Sequence, residues 1–139
     1  MSRSLGDLNP KVQNMAFEFI KACKERDIEV IITCTYRSDE EQEYLYSIGR
    51  TLPGKRVTNA KAGESFHQYG LALDFVPLRG GKPVWGTSGP DLELWTECGE
   101  IAEEIGFEWA GRWYKMREFP HIQWTGGLTL RDLQLGKRP

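Results

Sequence analysis

The sequence lacks the features typical of nucleic-acid-binding, membrane-spanning and disulfide-rich proteins. It has 18 Lys and Arg against 20 Asp and Glu, a net charge of −2, so no basic field favours nucleic acid. No apolar run is long enough to cross a bilayer and the N-terminal segment has no signal-peptide core, so we expect neither membrane insertion nor export. Cys23, Cys34 and Cys98 form no Cys-x-x-Cys pair and predict buried thiols made in a reducing cytoplasm.

The length and the apolar periodicity predict one α+β domain spanning residues 1–139. The predicted helices are 10–26, begun by Asn9-Pro10; 38–48, begun by a Ser38–Glu41 capping box; 91–106, capped by Asp91; and a short one capped by Thr129. The predicted strands are 28–35, 70–77, 107–109 and 120–124, with a turn at 80–81 and a loop from there through residue 90. Residues 50–64 are rich in polar residues and glycine and predict a long exposed loop. We expect a mostly antiparallel sheet of about four strands, with helices packed on one face.

The two histidines of the chain each lie close to a carboxylate at a suggestive spacing. His67 precedes Asp74 by seven residues, and Glu118 precedes His121 by three. Catalytic zinc takes three protein ligands, and two imidazoles with one carboxylate suit it. If a loop supplies His67 and the next strand supplies Asp74, these two and His121 form a Zn²⁺ site on the face of the sheet opposite the helices.

Glu118 is the candidate proton carrier for hydrolysis at this site. It would take a proton from the attacking water and pass one to the leaving amine. Taken singly, each residue has a simpler explanation: His67 and His121 as hydrogen-bonded histidines, Glu118 as a solvated charge. An aspartate within the apolar run 71–76 is harder to explain without a partner, because burying a lone carboxylate is costly.

The pattern Ser65-x-His67-x₆-Asp74, followed far downstream by Glu118-x-x-His121, resembles the LAS metallopeptidases. That superfamily includes D-alanyl-D-alanine carboxypeptidases of the VanY type and the zinc domain of hedgehog proteins, and the short phage L-alanyl-D-glutamate endopeptidases look most similar. Three more stretches look like the family: residues 35–38, 106–113 and 126–136.

The resemblance implies a zinc peptidase of bacterial cell wall that hydrolyses the L-Ala-D-Glu bond, with Glu118 as acid/base. It also implies that Arg37 contacts substrate or stabilises the developing oxyanion, and that Ser65 lies beside substrate. Two positions depart from the pattern: many phage-type relatives carry Asp in place of Glu118, and Arg112 stands where an acidic or small residue is expected.

The implied substrate is the peptidoglycan stem peptide, and the implied role is that of an endolysin acting as a monomer. With no export signal in the sequence, we expect the protein in the host cytoplasm before lysis and passage to the wall through a holin. Two other functions remain open. One is a D,D-carboxypeptidase or dipeptidase using the same site, and the other is a non-catalytic zinc-stabilised binding module, which the presence of Glu118 disfavours.

Overall fold

The computed structural model describes residues 1–139, which form four α-helices and one small sheet. The α-helices are α1 (Pro10–Glu25), α2 (Asp39–Ser47), α3 (Pro90–Ile105) and α4 (Leu130–Gln134). The strands are β1 (Val30–Cys34), β2 (Ala72–Arg79), β3 (Lys82–Pro83), β4 (Glu108–Trp109) and β5 (His121–Gln123). Short 3₁₀ helices cover Leu5–Asp7, Phe66–Tyr69 and Ala110–Arg112. None of the helices combines the length and the apolar run that crossing a bilayer requires.

The sheet has the strand order β1-β2-β5-β4 and is antiparallel throughout. The short strand β3 folds back on the end of β2 through the Gly80-Gly81 turn. Because successive residues of a strand face opposite sides of the sheet, alternate side chains of each strand lie on the core face and on the opposite, polar face. Leu73 of β2 lies opposite Ile122 of β5, and Trp109 of β4 lies opposite Ile122 from the other side.

That apolar row forms one wall of a single hydrophobic core, and α1 and α3 cover it. Phe19 of α1 packs edge-on against Phe75 of β2, with ring centroids 5.0 Å apart, and Phe75 contacts Trp95 of α3 at 5.4 Å. Phe119 in turn lies 6.2 Å from Trp95, so the aromatic chain reaches the segment that leads into β5. The predicted α+β class is confirmed, with the two long helices α1 and α3 on one face of an antiparallel sheet.

The predicted elements are all present, with three local differences. Asp91 does not cap α3: the cap is Gly89, two residues earlier, the helix begins at Pro90, and Asp91 instead pairs with Arg79 at 2.5 Å. The strand β3 lies in a stretch predicted as loop, because the turn at 80–81 sends the chain back along β2. The segment carrying His67 is a 3₁₀ helix rather than an open loop.

Candidate metal centre and catalytic cleft

The polar face of the sheet brings distant parts of the chain into one row. In the β1-β2-β5 register, Cys34 pairs with Asp74, and Asp74 pairs with His121. Two positions away along the strands, Ala72 pairs with Gln123, and Gln123 pairs with Glu108. All six side chains therefore leave the same face, away from the core.

His67 reaches this row from the 3₁₀ helix that precedes β2. The Ser65 hydroxyl accepts the backbone N–H of His67 at 3.3 Å and caps that helix. Gly70 ends the helix in a left-handed conformation with φ of 69°, which glycine adopts without strain. A Cβ at Gly70 would also lie 3.1 Å from the backbone nitrogen of Asn9, so the glycine lets the chain turn tightly into β2.

The three predicted metal ligands converge on one carboxylate oxygen. His67 Nε2 and His121 Nδ1 each lie 3.2 Å from Asp74 Oδ1. In a tetrahedral zinc site with metal–ligand bonds of about 2.0–2.2 Å, neighbouring ligand atoms are about 3.3–3.5 Å apart. The His67 and His121 side chains are nearly fully buried and that of Asp74 is 22% exposed. The donor set suits a zinc ion, and each imidazole nitrogen already lies near tetrahedral spacing from Asp74 Oδ1.

The tautomer of His67 also suits a metal. Its Nδ1 lies 2.7 Å from the backbone carbonyl of Thr35, which only accepts hydrogen bonds, so Nδ1 carries the hydrogen. The lone pair of the neutral ring is therefore on Nε2, the nitrogen that faces Asp74.

Cys34 offers a second potential donor at the edge of the site. Cys34, His67 and Asp74 each place a potential ligand atom within 4.8 Å of the others. The thiol, however, is 4.0 Å from His67 Nδ1, the nitrogen already used by Thr35, and 3.6 Å from the Arg37 guanidinium. We therefore favour His121 over Cys34 as the third ligand.

The two central groups shift each other's pKa in opposite directions. Burial alone would lower the pKa of His67, but its hydrogen bond and charge interaction with Asp74, and its contact with Cys34, raise that pKa to about 9. Burial alone would raise the pKa of Asp74, but hydrogen bonds and charge from His121 and His67 hold it well below its usual range. The pair therefore favours an ionised carboxylate, and a metal cation would take the place of the His67 proton.

Glu118 stands at the rim of the site. Its carboxylate Oε2 is 3.9 Å from His121 Nδ1, and its side chain is 59% exposed. The segment that carries it is anchored by Phe119, whose carbonyl accepts the indole N–H of Trp109 at 2.8 Å. Glu118 therefore lies beside the ligand cluster of His67, Asp74 and His121. Most of its side chain is exposed to solvent, as a proton carrier requires.

Arg37 lies on the other side of Asp74. One of its terminal nitrogens, Nη2, is 3.9 Å from Asp74 Oδ2, and the other, Nη1, donates to Gln42 Oε1 at 3.0 Å. Gln42 is fully buried and donates in turn to the carbonyl of Ala60 at 2.7 Å. The Nε atom of Arg37 is buried without a hydrogen-bond partner. The guanidinium is therefore fixed in orientation beside the site.

These residues line one open cleft of about 750 Å³. Its lining includes Arg37, Ser65, the ligand cluster and Glu118, together with Trp113, whose ring centroid is 5.8 Å from that of His121. Arg112 lies outside the cleft and instead pairs with Glu103 of α3 at 2.6 Å, which explains why a basic residue stands at that position.

The structure brings together every residue that the sequence proposed for the site, and it adds four that the sequence did not suggest. Cys34 was interpreted as an ordinary buried thiol, and Gln42, Glu108 and Gln123 carried no motif. Only Gln123 had a usable signal: in a strand, the residue two positions after His121 faces the same side of the sheet.

Comparisons with known proteins agree with this geometry. Residues 58–124 match the peptidase M15 family model described as D-alanyl-D-alanine carboxypeptidase. The chain is 39% identical to the peptidoglycan L-alanyl-D-glutamate endopeptidase CwlK of Bacillus subtilis, over 84% of this chain and 73% of that protein. It is 30% identical to an L-alanyl-D-glutamate peptidase of a Listeria phage, over 89% of this chain but only 41% of the phage protein.

Several solved structures share the fold. The L-Ala D-Glu endopeptidase ChiX of Serratia marcescens superposes with a TM-score of 0.62 at 20% identity, covering 95% of this chain and 90% of ChiX. A vancomycin-resistance D,D-pentapeptidase, VanY, in complex with Zn(II) superposes with a TM-score of 0.61 at 17% identity, covering 91% of this chain and 83% of VanY.

Proposed function

The chain belongs to the peptidase M15 family, and we propose that it is a zinc-dependent peptidoglycan peptidase that hydrolyses the L-Ala-D-Glu bond of wall stem peptides. The observation that carries the proposal is the convergence of two imidazole nitrogens on one carboxylate oxygen, each 3.2 Å from it, in an open cleft with Glu118 at its rim. The preference for the L-Ala-D-Glu bond follows the relatives that match over most of this chain.

His67, Asp74 and His121 would hold the metal through Nε2, Oδ1 and Nδ1. When bound there, zinc supplies Lewis acidity that polarises the scissile carbonyl and makes water acidic enough to attack near neutral pH. The remaining steps belong to side chains of this chain.

Glu118 takes the proton from the attacking water and returns it to the amine as the peptide bond breaks. Arg37 presents a fixed positive charge to the oxygen that gains negative charge in the transition state. Gln42 keeps that guanidinium in place, and Ser65 holds the helix that carries His67. The open cleft gives an extended peptide access to all of these groups.

A D,D-carboxypeptidase is the second candidate, because the matching family model bears that description. Such an enzyme must bind a terminal carboxylate, and two cations, Arg37 and Arg117, line the cleft. A non-catalytic zinc module is less well supported, because a binding module has no need of an acid/base residue at the position of Glu118.

Digestion of intact peptidoglycan followed by mass analysis of the fragments tests the proposal. Cleavage between L-Ala and D-Glu releases stem peptides that begin with D-Glu and leaves L-Ala on the glycan. Release of free D-Ala alone would establish the carboxypeptidase instead. No soluble product at any zinc concentration would contradict both enzymes. Glu118→Ala is the matched control for contaminating activity.

We further propose that the protein acts as a monomeric endolysin, held in the host cytoplasm until a holin opens the membrane. The phage relative supports this setting. Expression in the bacterial cytoplasm with and without a co-expressed holin tests it: lysis should require the holin, and lysis without it would contradict this route.

A further inference from the structure

Behind His121, away from Asp74, the structure contains a hydrogen-bonded chain that the proposed mechanism does not use. His121 Nε2 lies 2.7 Å from Gln123 Oε1, and Gln123 Nε2 donates to Glu108 Oε2 at 2.9 Å. Gln123 is 4% exposed and sits on β5 between its register partners Ala72 and Glu108. This series of hydrogen bonds thus runs from the ligand cluster to the exposed edge of the sheet at β4.

Glu108 determines which way the Gln123 amide faces. A carboxylate only accepts hydrogen bonds, so it requires the NH₂ group of Gln123 on its side. The carbonyl oxygen then faces His121 and accepts from Nε2–H. With the amide reversed, the oxygens of Gln123 and Glu108 would face each other at hydrogen-bond distance, which is electrostatically unfavourable.

We propose that Gln123, oriented by Glu108, is a positioning residue that fixes His121 as the Nε2–H tautomer and so presents the Nδ1 lone pair to the metal. His67 is fixed in the complementary tautomer by the Thr35 carbonyl. The two rings therefore offer different nitrogens, Nε2 from His67 and Nδ1 from His121, to the side where Asp74 Oδ1 lies. Partners of this kind around metal-bound histidines typically change metal affinity 10–100-fold.

This inference rests on the proposed zinc site, and two measurements on the zinc-loaded protein test it. The first is the zinc dissociation constant, obtained by competition with a chromophoric chelator. The second is a long-range ¹H–¹⁵N spectrum of the imidazoles, which shows which nitrogen carries hydrogen. The chain has only two histidines, so the two ring systems are readily distinguished.

We expect Gln123→Leu to raise the zinc dissociation constant about 10–100-fold and to change the His121 signals while those of His67 stay in place. Glu108→Leu, at an exposed position, should raise the zinc dissociation constant about 3–10-fold, because the Gln123 amide then loses the partner that orients it. Gln13→Leu is the matched control: Gln13 donates to the carbonyls of Gly6 and Leu8, far along the chain from the ligands, and its loss should leave zinc affinity unchanged.

The exchange variant Gln123→Glu with Glu108→Gln provides the rescue. The carboxylate introduced on β5 accepts from His121 and the amide introduced on β4 donates to it, so zinc affinity should return to near the wild-type value. A purely structural role for Gln123 predicts instead that the hydrogen stays on the same nitrogen of His121 in Gln123→Leu as in the wild type.

The proposal is overturned if Gln123→Leu binds zinc as tightly as the wild type, or if wild-type His121 carries its hydrogen on Nδ1. A wild-type protein that takes up no zinc would instead contradict the proposed function itself, so the two failures are distinguishable.

Discussion

Replacing Gly99 by alanine should damage the site from the opposite side of the sheet. Gly99 lies in the middle of α3 against the indole of Trp109, and an added Cβ would lie 2.1–2.4 Å from three ring atoms. Trp109 has little room to retreat. A Cβ at Gly111 would also come within 2.3 Å of the same ring, and the indole N–H is bonded to the Phe119 carbonyl.

Two opposing effects set the size of the change. Alanine in place of glycine inside a helix stabilises it by about 1 kcal/mol. Overpacking a well-filled core costs typically about 1–3 kcal/mol, and a clash that moves a buried indole by more than an ångström belongs at the upper end. We therefore expect a net loss of about 1–2 kcal/mol in the free energy of unfolding, or roughly 3–8 °C in Tm. Since Trp109 anchors Phe119, wall hydrolysis should fall as well.

Thermal unfolding of four proteins measures this effect: the wild type, Gly99→Ala, Trp109→Leu and the double variant. The cost of Gly99→Ala should largely disappear in the Trp109→Leu background, because the clash is then absent. Gly6→Ala is the control, since a Cβ there meets only the Ser4 hydroxyl at 3.3 Å. A rise in Tm for Gly99→Ala, or an equal cost in both backgrounds, would refute the reasoning.

Three further variants have defined expectations. Glu118→Gln should slow wall hydrolysis about 10²–10⁴-fold with unchanged zinc affinity, and a rate near that of the wild type would remove Glu118 from the mechanism. Arg37→Lys keeps the charge but loses the fixed two-nitrogen geometry, so kcat on muropeptides should fall about 10²-fold; an unchanged kcat would mean that Arg37 only supports Asp74. The backbone N–H of Thr129 lowers the pKa of Asp132, so the ionised carboxylate stabilises the folded state. This contribution to the free energy of unfolding is complete above the unfolded-state pKa of about 4 and is lost as pH falls through the lower folded-state pKa. Asp132→Asn should therefore flatten the acid limb of the stability curve, and an acid limb identical to that of the wild type would show that this cap contributes nothing.

Sequence periodicity predicted the elements of the fold well because each depends on local signals. The Asn9-Pro10 start, the Ser38–Glu41 capping box and the Thr129 cap all act within one helical turn, and all three are present. The cap of α3 was predicted two residues late, at Asp91, since Gly89 takes the cap position without offering a side chain. The pairing of β2 with β5 depends on tertiary packing that no local pattern contains.

The same contrast holds for the site. His67, Asp74, His121 and Glu118 were predictable because few residue types do this chemistry and the chain has only two histidines. Gln42 was not, and for Gln123 the strand alternation indicated only the face it shares with His121, because the role of an amide depends on the specific partner that lies beside it. Register places Gln123 next to Glu108, and the fold places Gln42 next to Arg37.

The most direct test of the account is the anomalous scattering of zinc in crystals of the zinc-loaded protein. The account predicts a single strong peak within about 2.0–2.2 Å of His67 Nε2, Asp74 Oδ1 and His121 Nδ1 together. A peak bonded to Cys34 Sγ in place of His121, or no peak within the cleft, would contradict it.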